Sequence, residues 1–134
     1  MRKGNLLNSK VVSILSRMGH TDQITIADAG LPIPKDIKRI DLALIKNVPG
    51  FIETVKAIQD DMVVEKIILA SEIKEYNKTV VKELKEMFVG LEIEFVDHET
   101  FKEKTKKSKA VVRTGECTPY ANIILQSGVD FSEG

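Results

Sequence analysis

The sequence predicts an α/β fold, a single layered domain over residues 1–134 whose largely parallel, mixed sheet is flanked by helices. Apolar spacing switches repeatedly between a helical period and strict alternation, and the helical segments run about a dozen residues, enough to cross over between parallel strands. Size agrees, since 134 residues with 43% apolar content suffice for one core without covalent staples.

Each element has a local reason. Asn8 or Ser9 can cap a first helix whose Val11, Val12, Leu15 and Met18 share a face, with Gly19 expected as its left-handed stop. Ile24 and Ile26, alternating with Thr25 and Ala27, make a first strand. Pro32 and Pro34 have no N–H to donate, so the chain must then turn or run along an edge. The run "RIDLALI" (39–45) alternates again. Beyond Asn47 and Pro49, the residues Phe51, Ile52, Val55 and Ile58 fit a helix, and "VVEKIILA" (63–70) is a β-branched strand suited to burial on both faces. Asn77 is a cap for a helix striped by Val80, Val81, Leu84, Met87 and Phe88 and ended by Gly90. The alternating "LEIEFV" (91–96), a charged helix over 98–109, and the strands "AVVRT" and "ANIILQ" complete the chain.

Charge and motifs exclude several classes of function. Twenty basic and twenty acidic side chains cancel, so no net field draws polyanions, and the run "KEKTKKSK" reads as a solvated helix face rather than a nucleic-acid surface. No apolar run resembles a signal peptide or a membrane span. With the single cysteine, this leads us to expect a cytoplasmic protein. The glycines follow neither GxGxxG nor GxxxxGK[ST], and the two histidines belong to no HExxH, so no cofactor and no metal are expected.

Titratable groups cluster in "GHTDQITIADAGLPIP" (19–34). His20 follows a helix end and Asp28 lies near the carboxyl end of the first strand, the edge at which open α/β sheets bind ligands. An acid–base pair of the two is the sharper reading, because histidine moves protons near neutrality and a neighbouring carboxylate orients it. The plain reading is a helix-end histidine and a turn aspartate. His98 also falls at a strand end, with a helix start as its plain role. A polar kink at 113–122 gathers Arg113, Glu116, Cys117, Tyr120 and Asn122 around Gly115 and Pro119. There the phenol of Tyr120 and the amide of Asn122 can each donate and accept, which suits the vicinal hydroxyls of a sugar. Cys117 reads as a small, semi-buried residue rather than a nucleophile.

"LLNS", "GHTD", "IADAGLPIP", "IDLAL", "EIK.YN", "DHE.FK", "RTGE.TPYANIIL" and the closing "GV.F" together resemble the ribose pyranase and fucose mutarotase family from end to end. The resemblance implies an isomerase that interconverts the β-pyranose and β-furanose rings of D-ribose through the open-chain aldehyde, without a cofactor. It implies His20 as proton donor, with Asp28, His98 and the Tyr120-Ala121-Asn122 triplet binding the sugar. A histidine at 98 favours ribose over fucose, and Cys117 takes no family role. The resemblance also implies a homo-oligomer of eight to ten chains with sites at subunit boundaries. Two alternatives stand beside the isomerase: an L-fucose-type mutarotase, and a non-catalytic sugar-binding accessory protein of ribose uptake. The apolar "YANIILQSGVDF" would fray at a chain end, so burial in an assembly is expected; the last three residues, 132–134, are expected to add nothing.

Overall fold

The computed structural model describes residues 1–131; the expectation for 132–134 lies outside the described residues. Along the chain run α1 (Ser9–Arg17), β1 (Gln23–Ala27), β2 (Arg39–Asp41), α2 (Phe51–Gln59), β3 (Val64–Ala70), α3 (Ile73–Tyr76), α4 (Lys78–Met87), β4 (Glu92–Val96), α5 (His98–Thr105), β5 (Val111–Arg113) and β6 (Ile123–Ser127). The strands form one six-stranded sheet in the order β2-β5-β1-β6-β3-β4. Pairings β2–β5, β5–β1 and β3–β4 are parallel, whereas β6 runs antiparallel to both its neighbours, β1 and β3. The mixed α/β sheet expected from the sequence is therefore present.

Side-chain alternation divides the core into two layers. Ile24, Ile26, Ile67, Leu69, Ile123 and Leu125 face α1, α2 and α4, where they meet Val11, Phe51, Val55, Leu84 and Phe88. On the other face Ala27, Ile68, Val111 and Ile124 pack against Phe101 of α5 and Leu31. Because both faces are covered, even the polar partner in the alternation of β1 is buried, and Thr25 satisfies its hydroxyl on Ser108 Oγ at 2.6 Å.

Several local expectations are corrected. Asn8 caps α1, its Oδ1 accepting from Val11 N at 3.0 Å, but Gly19 is not a left-handed stop. Met18 leaves the helix in extended geometry and the positive φ falls on Thr21, at 71°. Gly90 does take a positive φ, 85°, after α4. The strand expected over 39–45 ends at Asp41, because its partner β5 offers only three residues; the chain then folds back over Gly115, with Asn47 N donating to Gly115 O and Gly115 N to Pro49 O. Asn77 precedes α4 without capping it through its side chain, which serves the 116–120 loop instead. The helix expected over 98–109 stops at Thr105. Within the apolar C-terminal stretch, Ile123, Ile124 and Leu125 are fully buried near the middle of this chain's own sheet, whereas Val129 and Phe131 are exposed on the single chain.

Candidate functional site

A cleft opens at the carboxyl ends of β1, β4 and β5, as the sheet topology leads one to expect. Its floor is set by hydrogen bonds between the loop after β1 and the kink before β6. Thr114 donates to Ala27 O through both N–H and hydroxyl, Ala29 N donates to Glu116 O at 2.8 Å, and Arg113 Nε donates to Ala29 O at 3.1 Å. Asp28 is thereby held at the rim. Its N–H donates to Asn122 Oδ1 at 2.8 Å, Asn122 Nδ2 returns a bond to Asp28 Oδ2 at 3.2 Å, and Asp28 Oδ1 accepts from Gly30 N at 2.9 Å. Burial pushes the Asp28 carboxyl above the ordinary aspartate value, against the opposing pull of these donors and of His98.

Tyr120, at φ 56°, turns its ring between two neighbours: His98 edge-on at 5.1 Å between centroids and Tyr76 tilted at 5.8 Å. His98 is the first residue of α5, behind the Asp97 cap, and its N–H donates to Glu72 Oε2 at 3.0 Å. Its Nδ1 is buried without a hydrogen-bond partner among the described residues. Asp28, Gly30, Leu31, Pro32, His98, Pro119 and Tyr120 enclose a cleft of about 290 Å³, small by the standard of ligand sites. A second groove, lined by Leu6, Val11, Leu42, Ala57 and Ile58, is apolar, and its polar neighbours Asn8 and Glu53 are engaged at helix caps.

The structure brings Asp28, His98, Tyr120, Ala121 and Asn122 together and places His20 elsewhere. His20 precedes β1, whereas Asp28 follows it, so five strand residues at about 3.3 Å each separate them within one chain. The expected His20–Asp28 pair is not formed here: the carboxylate beside the imidazole belongs to Glu65, whose Oε1 lies 2.8 Å from His20 Nε2. Asn122 is 1% exposed, and its amide bonds both the N–H and the carboxylate of Asp28. Ala121 is fully buried. Cys117, expected semi-buried, is exposed on the loop wall, its thiol 3.4 Å from Gly115 O.

Other members of the expected polar kink are structural. Arg113 grips both oxygens of Asp41 at 3.1 Å, and Glu116 Oε1 accepts from Phe51 N at the start of α2. Sequence reasoning missed Glu72, Tyr76, Asn77 and Glu65. Asn77 Nδ2 donates to Pro119 O at 2.8 Å and Thr118 Oγ1 at 3.0 Å, fastening the loop that carries Tyr120. For Glu72, Tyr76 and Asn77 the sequence signals are the stretch "EIK.YN" itself and its place just beyond the carboxyl end of β3, whereas Glu65 lies inside that strand.

A rim carboxylate, an imidazole and a phenol around a small cleft, on a mixed α/β sheet, define a binder of small polyhydroxy compounds, with proton transfer available if a second histidine reaches the rim. Residues 1–130 match the family model described as "RbsD / FucU transport protein family". The chain is 56% identical over 131 residues to a D-ribose pyranase of Clostridium perfringens, covering 98% of this chain and 100% of that one. It is 53% identical to a D-ribose pyranase of Geobacillus thermodenitrificans at the same coverage. Among solved structures, RbsD of Bacillus subtilis complexed with D-ribose superposes with a TM-score of 0.95 at 51% identity, covering 98% of this chain and 100% of that one. A fucose mutarotase of Streptococcus pneumoniae in complex with L-fucose reaches 0.78 at 28% identity, over 92% and 94% of the two chains. The chain belongs to the RbsD / FucU family.

Proposed function

We infer that this chain is an isomerase interconverting the β-pyranose and β-furanose forms of D-ribose. The observation that carries the reading is the cleft around Asp28, in a fold that overlays a ribose-bound relative at a TM-score of 0.95. Ribose is favoured over fucose by that relative's higher identity, 51% against 28%, and by His98 at the rim.

Ring opening needs a proton delivered to the ring oxygen while another leaves the anomeric hydroxyl. No electron sink takes part. A positioned acid contributes about 10²- to 10⁴-fold, or roughly 3 to 5 kcal/mol of barrier, which suits a reaction that already proceeds slowly in water. We assign proton donation to His20 and contacts with the sugar to Asp28, His98 and the Tyr120-Ala121-Asn122 triplet, in which Asn122 also bonds Asp28. Since His20 lies at the far end of β1 from Asp28, the reading includes a homo-oligomer, an octamer or decamer, in which His20 of one chain completes the cleft of the next. The exposed thiol of Cys117 accords with a reducing, cytoplasmic setting.

Saturation-transfer NMR between the pyranose and furanose anomeric signals of D-ribose tests the function. Catalytic amounts of the chain are expected to speed the exchange well beyond the buffer rate. Binding of ribose with unchanged exchange would identify a non-catalytic accessory protein instead.

A further inference from the structure

The end of β1 away from the cleft carries a hydrogen-bonded row in which only His20 has a role assigned above. Gln23 Nε2 donates to Gln126 Oε1 at 2.9 Å, Gln126 Nε2 donates to Glu65 Oε2 at 2.7 Å, and Glu65 Oε1 meets His20 Nε2 at 2.8 Å. Direction is determined at every link. An ionised carboxylate only accepts, so the imidazole must present Nε2–H to Glu65, and Gln126 must turn its NH₂ toward the same carboxylate, leaving its oxygen for Gln23. The bonds from Gln126 and then from His20 hold the Glu65 carboxyl below the usual carboxylate range, which keeps it ionised at neutral pH.

The backbone at both ends of the row is shaped to present it. The register between β3 and β6 shifts between Val64 and Lys66, and the residue in that irregularity is Glu65. Such a bulge releases one residue from the ladder and re-aims its side chain, and bulges recur beside active sites. On the other side His20 sits in a tight turn. Asp22 N donates to Gly19 O, Gly19 N donates to Asp22 Oδ2 at 2.9 Å, and Thr21, at φ 71°, donates its N–H to Ser127 O at 2.9 Å. A positive φ on a β-branched residue is a strained backbone conformation. Stability does not repay this arrangement, because the His20 and Glu65 side chains are 55% and 33% exposed and ion pairs so open to water contribute little.

We propose that Glu65 is a positioning residue for His20: backed by Gln126 and Gln23, it holds the imidazole through Nε2–H, leaves Nδ1 facing outward toward a sugar, and supplies the counter-charge to the imidazolium. This rests on the assignment of His20 as the proton donor. The proton moves from Nδ1 to the ring oxygen, the ring nitrogen is left neutral, and water returns a proton to it as the anomeric hydroxyl releases its own to solvent. Other charged groups nearby are engaged elsewhere. Asp22 Oδ1 faces Lys109 Nζ at 3.9 Å, and Lys66 is paired with Glu92 at 3.3 Å and Glu94 at 2.8 Å. Glu65 is the carboxylate in hydrogen-bond contact with the imidazole among the described residues.

The test compares Glu65→Gln, Glu65→Ala and Gln126→Met with His20→Asn in the intact assembly, reading ribose ring exchange against ribose concentration. Both Glu65 variants are expected to lose about 10- to 100-fold in kcat with KM within about threefold, since Glu65 bonds His20 and none of Asp28, His98 and Tyr120, which hold the sugar, and Gln126→Met about 3- to 10-fold. With only two histidines in the chain, ¹⁵N imidazole NMR is readily assigned. With the imidazole neutral, the Nε2–H of His20 is expected to show the shift of a hydrogen-bonded N–H in the unmodified protein and that of a water-exposed one in Glu65→Ala. Retention of more than half of kcat in either Glu65 variant, a loss confined to KM, or an unchanged Nε2–H shift would overturn the proposal. Should the Glu65 variants fail to assemble, Gln126→Met decides by the same kcat and KM criterion. If His20→Asn keeps the rate, it is the assignment of His20 that fails; if His20→Asn is inactive and the Glu65 and Gln126 variants are not, the positioning role alone fails.

Discussion

Asp28 and Asn122 behave as one unit at the rim of the cleft, and the consequence shows in the pH dependence of stability. Burial raises the Asp28 carboxyl above the ordinary aspartate value, so the folded state binds that proton more tightly than the unfolded chain. Its contribution to stability is complete below the ordinary aspartate value and is lost as pH rises through the raised one. Asn in its place does not titrate. The thermal midpoint of Asp28→Asn relative to the unmodified protein is therefore expected to move upward by about 2 °C or more between pH 4 and pH 7, at fixed protein concentration. Taking the difference removes the opposite trend of Asp41, Glu65, Glu94 and Asp97, whose carboxyls are held low. A difference that is flat with pH, or that falls, would show that Asp28 is not strained toward its neutral form. The identities of Asp28, His98 and Tyr120 as rim residues were legible in the sequence, because each stands next to a strand end or a turn former. The engagement of Asn122 with Asp28 was not, since it joins residues 94 positions apart.

At the scale of elements, the loop over 42–50 and the kink over 114–122 support each other through Gly115. A Cβ there would lie 2.6 Å from Ile45 O and 2.7 Å from both Val48 N and Val48 O, all of them backbone atoms that cannot swing aside. Gly115→Ala is expected to destabilise the fold by about 2 kcal/mol or more and to weaken ribose binding, because Glu116 and Tyr120 belong to the same loop and Ala29 is bonded to Glu116 O. Thermal unfolding and ribose titration check it, and an unchanged midpoint would mean that the 42–50 loop yields freely. Helices α1, α2 and α4 and strands β1 and β3 were readable because each carries its own apolar period. The extension of β2 to residue 45 was misread. Alternation is necessary for a strand, but the ladder lasts only as long as its partner, and β5 is three residues long.

For the whole molecule, the decisive fact is the distance between His20 and Asp28 along β1. An isolated chain places His20, the proposed proton donor, and the cleft around Asp28 at opposite ends of one strand, so the proposed chemistry needs a neighbour. Mixing inactive His20→Asn chains with inactive Asp28→Ala chains under conditions of subunit exchange is expected to restore about a quarter of the activity, the share of sites that pair an intact donor with an intact cleft when chains mix at random. Light scattering that finds a fully active monomer would refute the assembly. An oligomer without restored exchange would refute the division of the site between chains.

The sequence by itself determined the α/β class, most helices, both histidines and the aspartate as the groups to watch, and the family, because these reside in local period, in turn chemistry and in motifs a few residues long. Tertiary structure alone decided the antiparallel place of β6 inside the sheet, the lashing of Asn122 to Asp28, and the carboxylate that serves His20. Each of these is a contact between residues 45 to 103 positions apart, and no local pattern encodes which distant strands become neighbours.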